Sequence, residues 1–256
     1  KRKVLHRSDH PRVMGRFHNM TISELLNRYL AGERNFQRIS LIGIDLMNED
    51  LSQADFTQAD LRQSRLGKTN LSQARFTVAN LSEAILWGTN FSEAKLDCAI
   101  LREADLSGAQ LIRASLESAY LCKASLCGTN LSHANLTQAI LIDADFSPGS
   151  DQQTDLGYAI LKQADLSYAN LSAALLYAAD LEGAKLCRAN LSRRMQWSDW
   201  PTNLSQANLK NADLSYADFS DAILQGANLE GADLTGTILK GADLSGAKMP
   251  DGTVHE

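Results

Sequence analysis

Leucine or phenylalanine recurs at every fifth position over almost the whole length of this chain. The series runs from Phe36 to Leu191 with Asp151 as its one exception, and it resumes at Leu204 and ends at Met249. A five-residue period would scatter these side chains around a helix, and on a straight strand it would send successive ones to opposite faces. They can all point inward only if the chain turns a corner after each short extended segment. The spacing therefore predicts a coil with five-residue sides.

A second period of twenty residues indicates how many sides make one turn of this coil. Polar residues that precede the repeated leucine recur at this interval. They are Asn70, Asn90, Gln110, Asn130, Ser150, Asn170 and Asn190. Twenty residues correspond to four sides, so we expect an all-β solenoid of about ten four-sided coils that stack as parallel strands.

The repeating unit Ala-(Asp/Asn)-Leu-(Ser/Thr)-x resembles that of the pentapeptide-repeat family. Examples are ADLSY at 164–168 and ANLEG at 227–231, and the resemblance covers residues 34–249. It implies the fold of that family, a right-handed quadrilateral parallel β-helix. A short helix followed directly by the repeats is similar to a cyanobacterial member that regulates heterocyst differentiation. That similarity implies action through protein–protein contacts.

Residues 20–33 are expected to form a capping α-helix over the first coil. Thr21 and Glu24 have the spacing of a capping box, and Gly32 stands where a helix commonly ends. Apolar residues recur on one face of the predicted helix, which we expect to cover the open end of the coil. They are Ile22, Leu25, Leu26, Tyr29 and Leu30. A partner-binding role for the helix is the alternative.

The two ends of the chain lie outside the predicted helix and coil. Residues 1–19 are basic and precede Met20, so we interpret them as an extension or an expression remnant. Residues 250–256 form a tail in which Pro250 ends the strand ladder, without a plug comparable to the helix. We therefore expect a monomer, or a dimer formed through the C-terminal end.

Composition argues against several classes of function. No apolar run approaches the roughly 20 residues of a membrane span, and no signal peptide is recognisable. The four cysteines lack the spacing of a metal site, so we expect reduced thiols in a cytoplasmic protein. A coil filled with leucine and alanine leaves no pocket, and we expect no catalytic residue, cofactor or metal ion. The net charge of −5 argues against direct nucleic-acid binding.

The acidic balance leaves one alternative, a DNA mimic that binds a topoisomerase such as gyrase, as some family members do. Such a mimic needs a continuous acidic column along one side of the coil. Asp105, Asp145 and Asp165 are predicted to share a column, but Arg65 and Lys185 belong to it too. The interruption by cations weakens this alternative.

One predicted face carries apolar residues on its outer surface. The series consists of Ile100, Tyr120, Ile140 and Ile160, with Ile142 beside it. An exposed apolar strip often marks an interface, which makes these residues candidates for binding a partner. The alternative is that β-branched residues favour strands whether or not a partner is present.

The first of two interruptions in the repeat lies at 147–154. The five-residue count persists across it, but Pro148 and Gly149 indicate a turn, and Asp151 replaces an inward leucine. We expect one side of one coil to bulge outward here.

The second interruption lies at 192–203 and breaks the count, because thirteen residues separate Leu191 from Leu204. We therefore expect an extruded loop. It contains residue types enriched at binding hot spots. These candidates are Arg193, Arg194, Trp197 and Trp200. Alternatively, the tryptophans fold back and cover their own coil.

Together these features predict a non-catalytic scaffold that binds another protein, which the resemblance suggests is a differentiation regulator. The topoisomerase-directed mimic and an architectural protein without a specific partner are the alternatives.

Overall fold

The computed structural model describes residues 18–192 and 200–256. Within them the chain winds as a right-handed quadrilateral β-helix, as predicted. Its regular elements are β1 (His18–Asn19), α1 (Ile22–Leu30) and β2 (Ile39–Ser40), and β1 pairs in parallel with β2. Single-residue parallel bridges, one per side of each coil, form the remaining ladder. We call the bridged residues rungs.

The rungs form four columns, which define the faces of the helix. Face 1 begins at Asn35, face 2 at Ser40, face 3 at Asp45 and face 4 at Asp50. In the described chain, face 1 has eleven rungs and each of the other faces has ten. This number agrees with the expectation of about ten coils.

Each corner is a tight turn that uses a left-handed residue two positions after the inward leucine. Gln53, for example, has φ 61° and Gly108 has φ 65°. For a residue other than glycine this conformation costs roughly 1–2 kcal/mol. The rung residue before the leucine offsets this conformational cost, because its Asp or Asn side chain accepts a hydrogen bond from the backbone N–H two residues later. At one such corner, Ser52 N donates to Asp50 Oδ1 at 2.9 Å. The Asp/Asn-Leu-Ser/Thr motif is thus a corner motif.

The core is a continuous column of inward leucine, phenylalanine and alanine side chains. The rings of Phe36 and Phe56 stack with centroids 5.6 Å apart, and those of Phe56 and Phe76 are 5.1 Å apart. Where threonine replaces the inward alanine, its hydroxyl is satisfied by a carbonyl of the preceding coil; Thr89 Oγ1 donates to Leu66 O at 2.6 Å. Ser64 is the one described buried side chain whose hydroxyl lacks a partner.

Helix α1 covers the N-terminal end of the core. Its N-terminus is capped by Thr21, whose Oγ1 accepts from Glu24 N at 3.2 Å, and Gly32 follows the last turn with φ 95°. Leu25 is fully buried and Tyr29 donates to Ser52 O at 3.0 Å. The predicted apolar face was too wide: Ile22 is 39% exposed and Leu30 is 81% exposed. The helix therefore contacts the coil along a narrower stripe than the sequence predicted. In the described ranges no helix is long and apolar enough to cross a membrane.

The C-terminal residues fold back onto the last coil. Val254 forms an antiparallel bridge with Lys248, and His255 N donates to Ala247 O at 2.8 Å. Gly231 N donates to Pro250 O at 3.0 Å, so the ladder continues through the proline carbonyl. The tail therefore covers part of the end that was expected to lack a plug.

The two interruptions lengthen individual coils and shift the faces that follow. Asn130 pairs with Asp155, an interval of 25 residues, and Leu175 pairs with Asn203, an interval of 28. Relative to the regular interval of twenty, the insertions contain five and eight residues. The prediction that Ser150 is a rung of the column containing Asn130 was wrong. An insertion of one complete repeat leaves the five-residue count intact while moving every later side by one face.

Candidate binding surfaces

The predicted apolar strip is shorter in the structure than in the sequence. Ile100, Tyr120 and Ile140 are successive rungs of face 2, and each is half-buried. Ile142 lies at the corner that follows and is also half-buried. The next rung of this face is Asp165, which ends the strip.

Ile160 does not continue this strip, so that part of the prediction was wrong. It pairs with Asn135 on face 1, because the five inserted residues displace it by one side. The same shift separates the predicted acidic column. Asp105 and Asp145 are rungs of face 3, where Asn170 follows them, whereas Asp165 and Lys185 belong to face 2.

Three of the four candidates in the second interruption, Arg193, Arg194 and Trp197, lie outside the described residues. Trp200 is described and is half-buried. It lies two residues before Thr202, whose side chain is fully buried at the base of the insertion.

Both insertions leave the coil at the same corner. The first lies between Phe146 on face 3 and Asp155 on face 4; the second lies between Leu191 on face 3 and Asn203 on face 4. One intact coil separates them, and it contributes Ser172 and Ala173 to this corner. We call the described residues of this corner, 147–154, 172–173, 192 and 200–203, the loop corner. Ser172 and Ala173 are fully buried, although such corner positions are generally exposed along the chain.

The two insertions close by the same device, a threonine at the inward position before the ladder resumes. Thr154 Oγ1 accepts from Gly128 N at 2.8 Å and lies 3.1 Å from Leu126 O. Thr202 Oγ1 accepts from Ala173 N at 2.8 Å. In a regular coil such an N–H reaches a carbonyl of the next turn. At Ala173 the hydroxyl takes the place of that carbonyl, whereas Gly128 N also donates to Ser147 O at 3.1 Å.

The first insertion also contacts the coil that separates it from the second. Gln153 Nε2 donates to Ala173 O at 2.8 Å, while Ala173 N donates to Thr202. The backbone of Ala173 is therefore held from both sides, by one residue of each insertion. Since both of its polar groups depend on the loops, the loop corner is a single structural unit.

The opposite edge of face 4 carries an aromatic cluster that sequence reasoning missed. His133 and Tyr158 stack with ring centroids 5.0 Å apart and planes 3° from parallel, and Tyr177 meets Tyr158 edge-on at 5.5 Å. Tyr158 is 51% exposed and Tyr177 is 41% exposed. We call these three residues the tyrosine corner. These three side chains come together only when the first insertion is counted as one complete repeat, and no local sequence pattern shows that the insertion has this length.

Face 4 lies between these two edges and differs in charge from its neighbours. Each of the other faces has one rung carboxylate that pairs with a rung cation one coil away: Asp55 with Arg75 on face 1, Asp165 with Lys185 on face 2, and Asp45 with Arg65 on face 3. The rungs of face 4 include Asp50, Asp155 and Asp243 but no lysine or arginine. Among the described residues, no ion pair involves Asp155 or the loop residue Asp151.

The described part of the chain offers few side chains arranged for metal binding or nucleophilic catalysis. No group of three or more His, Cys, Asp or Glu residues has the arrangement of a metal site there. Cys127 is half-buried at the corner before the first insertion, with its Sγ 3.4 Å from Ser147 Oγ, and burial raises the pKa of its thiol. A raised pKa disfavours the thiolate that a nucleophile requires.

Comparison with known proteins accounts for the repeat. The profile of the family described as "Pentapeptide repeats" matches in eight copies. The matched ranges are 35–73, 74–111, 109–147, 152–193, 202–241 and 212–251. The chain belongs to the pentapeptide-repeat family. The only breaks within these matches, 148–151 and 194–201, fall in the two insertions.

Among solved structures, the chain is similar to HetL from the cyanobacterium Nostoc sp. strain PCC 7120. The two are 58% identical with a TM-score of 0.91, over 92% of this chain and 100% of HetL. HetL is described as a pentapeptide repeat protein involved in heterocyst differentiation regulation. QnrB1, a fluoroquinolone resistance protein, is 18% identical with a TM-score of 0.40, over 82% of this chain and 92% of QnrB1. No curated protein matches the chain.

Proposed function

We propose that this protein is a non-catalytic scaffold that regulates heterocyst differentiation in the cytoplasm by binding another protein. The observation that carries the proposal is the similarity to HetL, 58% identical over its whole length. Identity at this level extends beyond the inward leucines and alanines that any member of the family needs for its fold.

The surface of the coil supports a binding function. The inward positions are filled, so a partner can contact only the rungs, the corners and the insertions. Exposed aromatic side chains at one corner and two anchored loops at the next are features of interfaces, and loops on a rigid scaffold commonly carry binding. The four described thiols are free, which agrees with a reducing compartment.

The apolar strip on face 2 is a second candidate contact within the same function. Substituting both Ile140 and Ile142 by Asp tests it, since both side chains are half-buried at the surface and neither belongs to the inward core. If face 2 binds the partner, these substitutions remove the regulatory effect; if they leave it unchanged, the strip is structural.

A gain-of-expression experiment tests the proposed function. The chain is expressed from a plasmid in Nostoc sp. strain PCC 7120, and heterocyst frequency along the filament is counted beside strains that carry plasmid-borne HetL or an empty plasmid. We expect a change in the same direction as HetL produces. A frequency equal to the empty plasmid, with the chain present in the folded state and HetL active, would contradict the proposal.

The topoisomerase-directed mimic is not favoured by the structure. Its acidic column is shorter than the sequence suggested, because Asn170 and Asn190 follow Asp145 on face 3. A gyrase supercoiling assay separates the two functions: we expect supercoiling to be unaffected by the purified chain.

A further inference from the structure

Face 4 is bounded by two distinct corners over the coils that carry the insertions. The loop corner forms one edge and the tyrosine corner forms the other. The rungs between them are short side chains, Asn130, Asp155, Leu175 and Asn203. One side of a coil spans about three extended residues, or roughly 10 Å, which is wide enough for a single polypeptide segment.

The tyrosine corner presents aromatic surface that is ordered before any partner binds. The near-parallel stack of His133 on Tyr158 and the edge contact of Tyr177 hold the three rings against one another. Large side chains that are already restrained lose little conformational entropy on binding, which is why such residues dominate interface energetics.

Two other tyrosines of this chain, Tyr216 at a corner and Tyr29 in α1, already have an arginine over the ring. The guanidinium of Arg188 lies over the ring of Tyr216 with its Cζ 5.0 Å from the centroid, and that of Arg34 lies 3.9 Å from the centroid of Tyr29. In the described ranges no cation occupies the equivalent position over Tyr158 or Tyr177. Neither ring therefore has a described cation partner, and His133 covers one face of Tyr158.

The charge of face 4 points to the same ligand chemistry. Asp155 lies three residues before Tyr158, and its Oδ1 accepts the N–H of Gly157 at 2.8 Å. Each of the other three faces has one rung carboxylate paired with a cation of its own column, but within the described residues Asp155 and Asp151 have no ion-pair partner. A guanidinium can stack on a tyrosine and pair with a carboxylate, whereas an ammonium is the poorer partner for both.

We propose that face 4, between the loop corner and the tyrosine corner, is the docking surface for an arginine-bearing segment of a partner protein. The inference deepens the proposed function by naming the surface and the partner's chemistry. Tyr158 and Tyr177 receive the guanidinium, Asp155 supplies the countercharge, and the loop corner limits how the segment lies on the face.

Binding of synthetic peptides to the full chain tests this assignment without knowledge of the partner. A labelled nona-arginine peptide is titrated by fluorescence anisotropy at physiological ionic strength, with nona-lysine as the charge control. We expect tighter binding of nona-arginine. Tyr158→Leu and Tyr177→Leu should each weaken it by roughly threefold to thirtyfold, the range of a cation–π contact. Asp155→Asn should also weaken it while keeping the corner hydrogen bond, since asparagine is a regular rung residue.

The matched control is Tyr168→Leu, which removes a tyrosine 56% exposed at a corner between faces 2 and 3. It should leave nona-arginine binding unchanged. Equal affinity for the two peptides, or equal loss in all three tyrosine variants, would overturn the docking surface. That result is distinct from failure of the proposed function, which would appear as an unchanged heterocyst frequency with the unsubstituted chain.

Discussion

Removing one buried hydroxyl should have opposite effects on stability at two positions. Thr202 Oγ1 is the acceptor for the N–H of Ala173, which is fully buried. Thr202→Val preserves the shape of the side chain but leaves that N–H unpaired, which costs about 1–3 kcal/mol. Ser64 is equally buried, and its hydroxyl has no partner. Ser64→Ala removes an unsatisfied group and should stabilise the protein by about 1 kcal/mol.

Thr89→Val is the isosteric control for the threonine substitution. Thr89 Oγ1 only donates, and its acceptor Leu66 O also receives the N–H of Thr69. The change therefore leaves no described N–H unpaired, and we expect it to cost less than about 1 kcal/mol.

Two measurements check these values. Denaturant unfolding reports the change in the free energy of unfolding, and hydrogen exchange reports opening at the amide of Ala173. We expect that amide to exchange about tenfold faster in Thr202→Val and at an unchanged rate in Thr89→Val. Equal destabilisation by both threonine substitutions, or destabilisation by Ser64→Ala, would refute the assignment of hydrogen bonds at the loop corner.

Two further predictions concern the loop position and the response to acid. Gly108 and Gly128 occupy the same corner in adjacent coils, with φ near 65°. A Cβ added to Gly128 would lie 3.0 Å from the backbone of Gly149, whereas a Cβ added to Gly108 would meet nothing within 4 Å. Gly128→Ala should therefore displace the first insertion and increase its cleavage by proteases. Gly108→Ala should cost only the free energy of placing alanine in the left-handed conformation. At low pH, rung carboxylates such as Asp233 and Asp243 contribute to the loss of stability, since their pKa values lie below the usual range because the hydroxyl and N–H two residues on donate to them. The folded state binds protons less readily than the unfolded state, so these carboxylates stabilise the fold fully above their unfolded pKa. This stabilisation is lost as the pH falls through the folded pKa. The free energy of unfolding should therefore stay level from pH 7 to 5 and decline below about pH 4.

The regular part of the fold could be predicted because the five-residue spacing is a geometric constraint. Inward leucines at that interval require a corner after each side, and the twenty-residue period of the rungs requires four sides. The helix cap at Thr21 was predicted for a similar reason, since capping depends on local sequence.

The arrangement of the surface could not be predicted, because it depends on how many residues the insertions remove from the coil. An insertion of five residues at 147–154 leaves the five-residue count unchanged, and Pro148, Gly149 and Asp151 were the only signals that a side had left the coil. Every face assigned beyond that point was displaced by one, which placed Ile160 beside Ile140 and hid the alignment of Tyr158 with His133. The thirteen residues from Leu191 to Leu204 were compatible with an insertion of three or eight, and the pairing of Leu175 with Asn203 shows eight.

Heterocyst frequency in filaments that express substituted forms of the chain tests the central claim most directly. The claim is that regulation operates through contacts made by face 4. In Nostoc sp. strain PCC 7120, the unsubstituted chain and Tyr168→Leu should change the frequency to the same extent. The double substitution Tyr158→Leu and Tyr177→Leu should abolish the change while the purified variant keeps its cooperative unfolding. A double variant that is folded and fully active in the filament would contradict the account.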